Sequence, residues 1–152
     1  MTVTIAVERP DSAVVVELIA ELEAYLVPMY PAESRHGYSV EKLLREGVAF
    51  FVLRSGDDVV GCGGVQLVEC AYGEIKRMYI RPAYRGQGLG RRMLDHLAAH
   101  VRAHGVDRLR LETGIHQVEA IRLYEGYGFR RIPPFGPYRE DPLSRYYEKT
   151  LD

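Results

Sequence analysis

Residues Arg85 to Arg91 read Arg-Gly-Gln-Gly-Leu-Gly-Arg, and a helix-periodic stretch with Leu89, Met93, Leu94, Leu97 and Val101 on one side begins inside them. The first turn of a helix has amide N–H groups without intrahelical acceptors, and its aligned peptide dipoles place about half a positive charge there. Gly86, Gly88 and Gly90 let the backbone curl so that these amides converge without a Cβ in the way. Arg85 and Arg91 add cationic donors. The pattern suits the grip of a phosphate or pyrophosphate, although a glycine-containing strand-to-helix turn is also a common structural device. Other nucleotide loops fit worse. The chain has no Gly-Lys-Ser/Thr of a P-loop here, and the spacing lacks the third glycine and the following acidic residue of a dinucleotide fold.

Two other sets of reactive residues read as structural. His96, His100 and His104 recur every four residues along the same helix, a spacing that metal ligands can use. No carboxylate completes a motif with them, so a solvated stripe is expected and no metal site. Cys62 and Cys70 are too few and too close for a disulfide framework or a zinc site, and are expected to be two strand thiols.

The elements that position these residues follow from periodicity. Residues 2–7 alternate as a strand, Asp11 or Ser12 can cap a helix, and Val15, Leu18, Ile19, Leu22, Tyr25, Leu26 and Met29 form its inward stripe until Pro28 and Pro31 stop it. A loop over 29–38 leads to a short capped helix over 39–47 and a buried strand over 48–54. Residues 59–70 return as a strand whose Gly61, Gly63 and Gly64 hint at a bulge or a close backbone approach, and 71–82 form the next strand, closed by Pro82. After the glycine stretch and its helix come a strand over 106–114, a helix over 117–128, a strand over 129–132 and a final strand over 145–151.

This order implies an α/β (α+β) fold around one central mixed sheet. With 152 residues the chain is expected to be a single domain over 1–152. Composition is that of a globular protein, 47% apolar and 27% charged. The 20 basic residues nearly balance the 21 acidic ones, which argues against nucleic-acid or membrane partners even though Lys76, Arg77, Arg81, Arg85, Arg91 and Arg92 cluster in sequence. The opening residues lack the basic and apolar blocks of a signal peptide, and a cytoplasmic location is expected.

The stretch Met78 to Gly90, Met-Tyr-Ile-Arg-Pro-Ala-Tyr-Arg-Gly-Gln-Gly-Leu-Gly, resembles the acyl-CoA pyrophosphate loop of the GNAT superfamily of N-acetyltransferases, with Arg85, Gly88 and Gly90 in the signature places. A second block, residues 117–129, is similar to a later helix of that family through Ala120, Leu123, Tyr124, Gly128 and Phe129, with Gln117 where Asn is usual. The resemblance implies a mostly antiparallel mixed sheet whose two central parallel strands splay apart, flanked by about four helices. It implies that acetyl-CoA, as acyl donor, lies in the splay: its pantetheine arm on main-chain groups of Met78, Tyr79 and Ile80, its pyrophosphate on Arg85, Gly86, Gln87, Gly88, Leu89, Gly90 and Arg91, with Gln117 and Tyr124 along the arm.

The reaction so implied moves an acetyl group to a primary amine by direct attack in a ternary complex, with no metal. Tyr124 would protonate the leaving sulfur and Glu74 would serve as base, with Glu112 in reserve. Glu74 shares a nominal face with Lys76, Met78 and Ile80, a parity that a bulge would flip, and it reads equally well as the ion-pair partner of Lys76. Tyr30, Tyr138, Glu140 and Asp141 could line a pocket for a small cationic amine, and His116 lies near the site. A small-molecule amine is the expected acceptor, with a protein or peptide amine, or an acyl-CoA-binding module of little turnover, as alternatives. A homodimer is one expected arrangement.

Overall fold

The computed structural model describes residues 2–152. Strand β1 (Val3–Val7) leads to helix α1 (Ala13–Leu26), then α2 (Val40–Arg45), β2 (Ala49–Ser55), β3 (Asp58–Val68) and β4 (Tyr72–Ile80). Helix α3 (Leu89–Ala103), β5 (Arg108–Gly114), α4 (Val118–Tyr127), β6 (Arg130–Ile132) and β7 (Ser144–Thr150) complete the order. The seven strands form one sheet in the order β1-β2-β3-β4-β5-β7-β6, and only β4 and β5 run parallel.

Local chemistry sets the helix ends. Ser12, rather than Asp11, caps α1: its Oγ accepts the N–H of Val15 at 3.2 Å, while Asp11 pairs with Arg9. Ser39 caps α2 in the same way through Lys42 N–H at 3.2 Å. Along β2 the side chains alternate between two cores, Phe51 and Leu53 facing α3 and α4, Phe50 and Val52 facing α1 and α2. Helix α1 buries Val15, Leu18, Ile19 and Leu22, and Leu26 packs half-buried against the same core, but Tyr25 of the expected stripe turns outward, 40% exposed. Among the described residues no helix is long and apolar enough to cross a membrane.

Two irregularities open the centre of the sheet. Strands β4 and β5 pair only at Gly73 with Leu109 and Glu74 with Arg110, and diverge beyond. On its other edge β4 carries one extra residue against β3: Gly64 faces Lys76 and Cys62 faces Tyr79, so Gly63 alone opposes Arg77 and Met78. The β3 glycines meet both expectations: against β2 the register shifts beside Gly61, with Val60 as the extra residue, and a β-carbon on Gly61 would stand 2.3 Å from Tyr79 O. Against β4 the extra residue lies in β4 itself, where Arg77 takes a left-handed φ of 52°.

This bulge flips the alternation of β4. Ile75 faces the α3 core, Met78 and Ile80 pack against that same core, and Tyr79 joins the α1 core. Glu74 and Lys76 therefore do not share a face with Met78 and Ile80; they point to the opposite side. Cys62 is a buried strand residue, but Cys70 is not: it stands exposed in the β3–β4 turn with φ at 58°.

Candidate functional site

The divergence of β4 from β5 leaves a cleft of about 290 Å³, walled by Met78, Tyr79 and Ile80 on β4 and by Gln117, Leu123 and Tyr124 on α4. Its far end is the glycine turn. Gly88 occupies the N-cap of α3 with φ at 76°, a conformation that glycine adopts without steric cost. The first intrahelical bond runs from Arg92 N–H to Gly88 O at 3.2 Å, so the amides of Leu89, Gly90 and Arg91 precede it and remain free to meet an anion. Since β4 stops pairing with β5 at Glu74, its edge further along has no strand beside it and can take an extended ligand as an added strand.

The cleft gathers the residues expected to hold the cofactor, with one exception. Arg85, Gly86, Gly88, Leu89, Gly90 and Arg91 line it together with Met78, Tyr79, Ile80, Gln117 and Tyr124, whereas Gln87 is exposed at the crest of the turn and does not. The two arginines also serve the fold. Arg85 Nε donates to Ile80 O at 2.9 Å, tying the turn to the end of β4, and Arg91 donates to Gly126 O at 3.1 Å.

A second pocket, of about 410 Å³, shares Leu22, Met78, Gln117 and Tyr124 with the cleft and continues toward the loop between α1 and α2. Tyr124 is buried at this junction. Burial, reinforced by the negative charge of Glu112, pushes its phenol well above the ordinary value, so the group stays protonated. Glu112 lines the second pocket. Burial raises its carboxyl; a hydrogen bond from Ser144 at 2.8 Å and the positive charge of Lys76 act in the opposite sense. A carboxyl raised toward neutrality, facing a protonated phenol across a pocket, is an arrangement that can accept one proton and deliver another.

Glu74 lies elsewhere. It is buried, accepts from Lys76 Nζ at 2.7 Å and from the Tyr138 hydroxyl at 2.5 Å, and lines a third pocket, about 700 Å³, beside the second. The ammonium of Lys76 also stands 3.9 Å from the centre of the Tyr38 ring. The ion-pair reading of Glu74 is the one the structure displays. Arg35, His36 and Gly37 line both the second and the third pocket and join them.

The remaining candidates fall on either side of this junction. Tyr30 reaches the second pocket, where its hydroxyl accepts the N–H of His116 at 3.0 Å and donates to Gln117 Oε1 at 3.5 Å. Gln117 Oε1 also accepts from Gly114 N–H at 3.0 Å. The ring of His116 is stacked near Tyr30 and lines none of the three pockets. Tyr138, Glu140 and Asp141 border the third pocket. His96 and His100 lie edge-on against Phe51 at 4.6 and 5.5 Å between ring centres, so the histidine stripe is partly a packing surface.

Sequence reasoning passed over His36, Arg77 and Ser144. His36 sits in a stretch that reads only as loop, Ser144 directly before the last expected strand. Arg77 looks like any basic strand residue until the bulge turns it inward, where it bonds Glu23 and, at 2.9 Å, the carbonyl of Tyr38.

Comparison with known proteins agrees with this geometry. Residues 16–129 match the family described as acetyltransferase (GNAT). The IAA acetyltransferase of Azospirillum brasilense is 46% identical over 150 residues, 98% of each chain. A crystal structure from Klebsiella pneumoniae is 38% identical, with a TM-score of 0.84 over 99% of this chain and 98% of that one. The PaiA N-acetyltransferase of Thermoplasma acidophilum, solved with coenzyme A, is 20% identical with a TM-score of 0.79 over 99% of this chain and all of its own, a likeness of fold.

Proposed function

The chain belongs to the acetyltransferase (GNAT) family and is an acyltransferase, and from that premise we propose that it moves an acetyl group from acetyl-CoA to the primary amine of a small molecule. One observation carries this reading: Tyr124 stands where two pockets meet, with the anion-binding turn of α3 at the end of one and Glu112 in the wall of the other. The site fits the donor. Free amides at Leu89, Gly90 and Arg91 would hold the pyrophosphate, the unpaired edge of β4 at Met78, Tyr79 and Ile80 would hold the pantetheine arm, and the thioester so placed supplies an activated acetyl group.

The chain's own groups then handle protons and charge. A main-chain N–H at the bulge, at Met78 or Tyr79, meets the carbonyl oxygen as it gains negative charge. Tyr124 gives its phenolic proton to the departing sulfur. We assign the base to Glu112 rather than Glu74, because Glu112 shares a pocket with Tyr124 while Glu74 is spent on Lys76 and Tyr138. Attack is direct, without an acyl-cysteine. The Cys62 thiol is buried in the sheet and pushed up to about 12, and Cys70 lies in the β3–β4 turn. The second pocket offers about 410 Å³ beside Tyr124 and Glu112, room for a small amine.

The test is titration calorimetry with acetyl-CoA followed by release of free thiol across a panel of small amines and amine-terminated peptides. The expected result is binding, with turnover on small amines that Tyr124→Phe lowers more than it weakens acetyl-CoA binding. Binding without thiol release for any amine would make the chain an acyl-CoA-binding module. Turnover confined to peptides would move the acceptor to a protein.

A further inference from the structure

The loop before α2 and the segment before β7 meet beside the acceptor pocket at His36. His36 Nε2 stands 3.3 Å from Asp141 Oδ2, and the edge-to-face packing of His36 and Tyr138, 5.7 Å between centres at 89°, sets the plane of the imidazole. The other oxygen of Asp141 accepts the N–H of Leu143 at 2.9 Å. That bond, more than the opposing effect of burial and with help from Ser34 and His36, holds the Asp141 carboxyl below its ordinary value. An ionised carboxylate only accepts, so the hydrogen of a neutral imidazole must sit on Nε2. Nδ1 is then left with a free lone pair, on a ring that lines both pockets and whose side chain is 26% exposed.

The chemistry has a vacancy for such a group. An amine enters as an ammonium ion and loses two protons overall, one before its nitrogen can attack and one after the C–N bond has formed. A single carboxylate can take one of them per turnover. We infer that His36, oriented by Asp141, is the second proton acceptor of the site, taking the first proton from the incoming ammonium at the pocket mouth. This rests on the acetyl-transfer reading above. The ammonium N–H bond breaks and an Nδ1–H bond forms, and the imidazolium, paired with Asp141, gives that proton to solvent. The neutral amine then attacks; the C–N bond forms, the C–S bond breaks, the sulfur takes the Tyr124 proton, and the nitrogen gives its second proton to Glu112. Return of that proton to Tyr124 closes the cycle with one proton released.

The charges around His36 favour this division. A proton taken by His36 lowers the Glu112 carboxyl, against the burial that raises it. From its own loop Glu33 and Arg35 flank His36, and from the segment before β7 Arg139, Glu140 and Asp141 face it. Lys42 on α2 borders the same space, and the β4 pair Glu74 and Lys76 is internally neutralised.

The experiment has two readouts. Nitrogen NMR of histidine-labelled protein, bound to acetyl-CoA, should show the His36 ring with hydrogen on Nε2 and none on Nδ1, and the Asp141→Asn variant should lose that bias. A ring carrying its hydrogen on Nδ1 would overturn the proposal, and this needs no acceptor. With an amine selected by the panel, His36→Ala should lower kcat/KM at pH 7 by about 100-fold, the size expected of a lost base. The loss should shrink at pH values where the amine is already neutral, and added imidazole should restore turnover, whereas Glu112→Gln stays impaired at every pH. Equal loss at all pH values with no rescue would reduce His36 to a structural contact. Failure of every amine would sink the acetyl-transfer reading alone, with the tautomer spectrum still deciding the dyad.

Discussion

The guanidinium of Arg77 lies so close to Gly37 that a β-carbon on Gly37 would stand 2.4 Å from Arg77 Cζ. Arg77 cannot yield freely, because its side chain is buried and held by Glu23 on α1 and by the carbonyl of Tyr38. Gly37 thus lets the loop that carries His36 settle onto the bulge of β4. Gly37→Ala should cost about 1–2 kcal/mol of stability, measured by denaturant unfolding, and raise the KM for the acceptor far more than that for acetyl-CoA.

Glu74 offers a sharp contrast between stability and chemistry. Glu74→Gln leaves the ammonium of Lys76 in a buried site without its counter-charge, so the variant should lose roughly 3 kcal/mol of stability. The double variant Glu74→Gln, Lys76→Met should recover much of it. Turnover per folded molecule should stay within a few-fold of the parent. A loss of turnover beyond about 100-fold in both, with folding restored in the double variant, would return the role of base to Glu74.

For Glu112 the expectation is reversed. Burial, the largest influence, raises its carboxyl above the ordinary 4.5, so the folded chain binds this proton more tightly than the unfolded chain does. By linkage, stability falls as pH climbs from that ordinary value through the raised one, because ionisation is then worth more to the unfolded state. Glu112→Gln removes this dependence and keeps an acceptor for the Ser144 hydroxyl. The variant should be inactive yet as stable as the parent at neutral pH, or more so, and its melting temperature should fall less than the parent's as pH climbs above the ordinary carboxylate value.

Gly90 tests the cofactor cleft. An added β-carbon would stand 2.7 Å from Leu123 Cδ2, and both residues wall the cleft, so Leu123 must turn into the space meant for the ligand. Gly90→Ala should weaken acetyl-CoA binding about tenfold, equivalent to about 1.4 kcal/mol. Stability should change little, since the strain is offset by the better helix propensity of alanine, worth about 1 kcal/mol. Calorimetry beside thermal unfolding would check both.

The elements themselves were legible because they depend on neighbours in the chain. Ser12 and Ser39 announce helix starts, the alternation of Phe50 to Leu53 marks a strand buried on both faces, and the glycines from Gly86 to Gly90 mark a turn with free amides. Tyr25 was misjudged for the opposite reason. It falls at the edge of the helical stripe, so that Leu26 beside it packs on the core while Tyr25 lines the cleft.

Sequence by itself determined the order of strands and helices, the glycine turn before α3 and the place of Tyr124 on α4, since each rests on spacing along a few consecutive residues. Tertiary structure decided which carboxylate meets that tyrosine. One extra residue at Arg77 reverses the facing of β4, and the early parting of β4 from β5 turns Glu112 into the open pocket while Glu74 closes on Lys76 and Tyr138. It also joined His36 to Asp141, far apart in the chain. A side chain's neighbours across a sheet depend on register and on which strand carries the bulge, and those are settled by packing between distant segments rather than by local pattern.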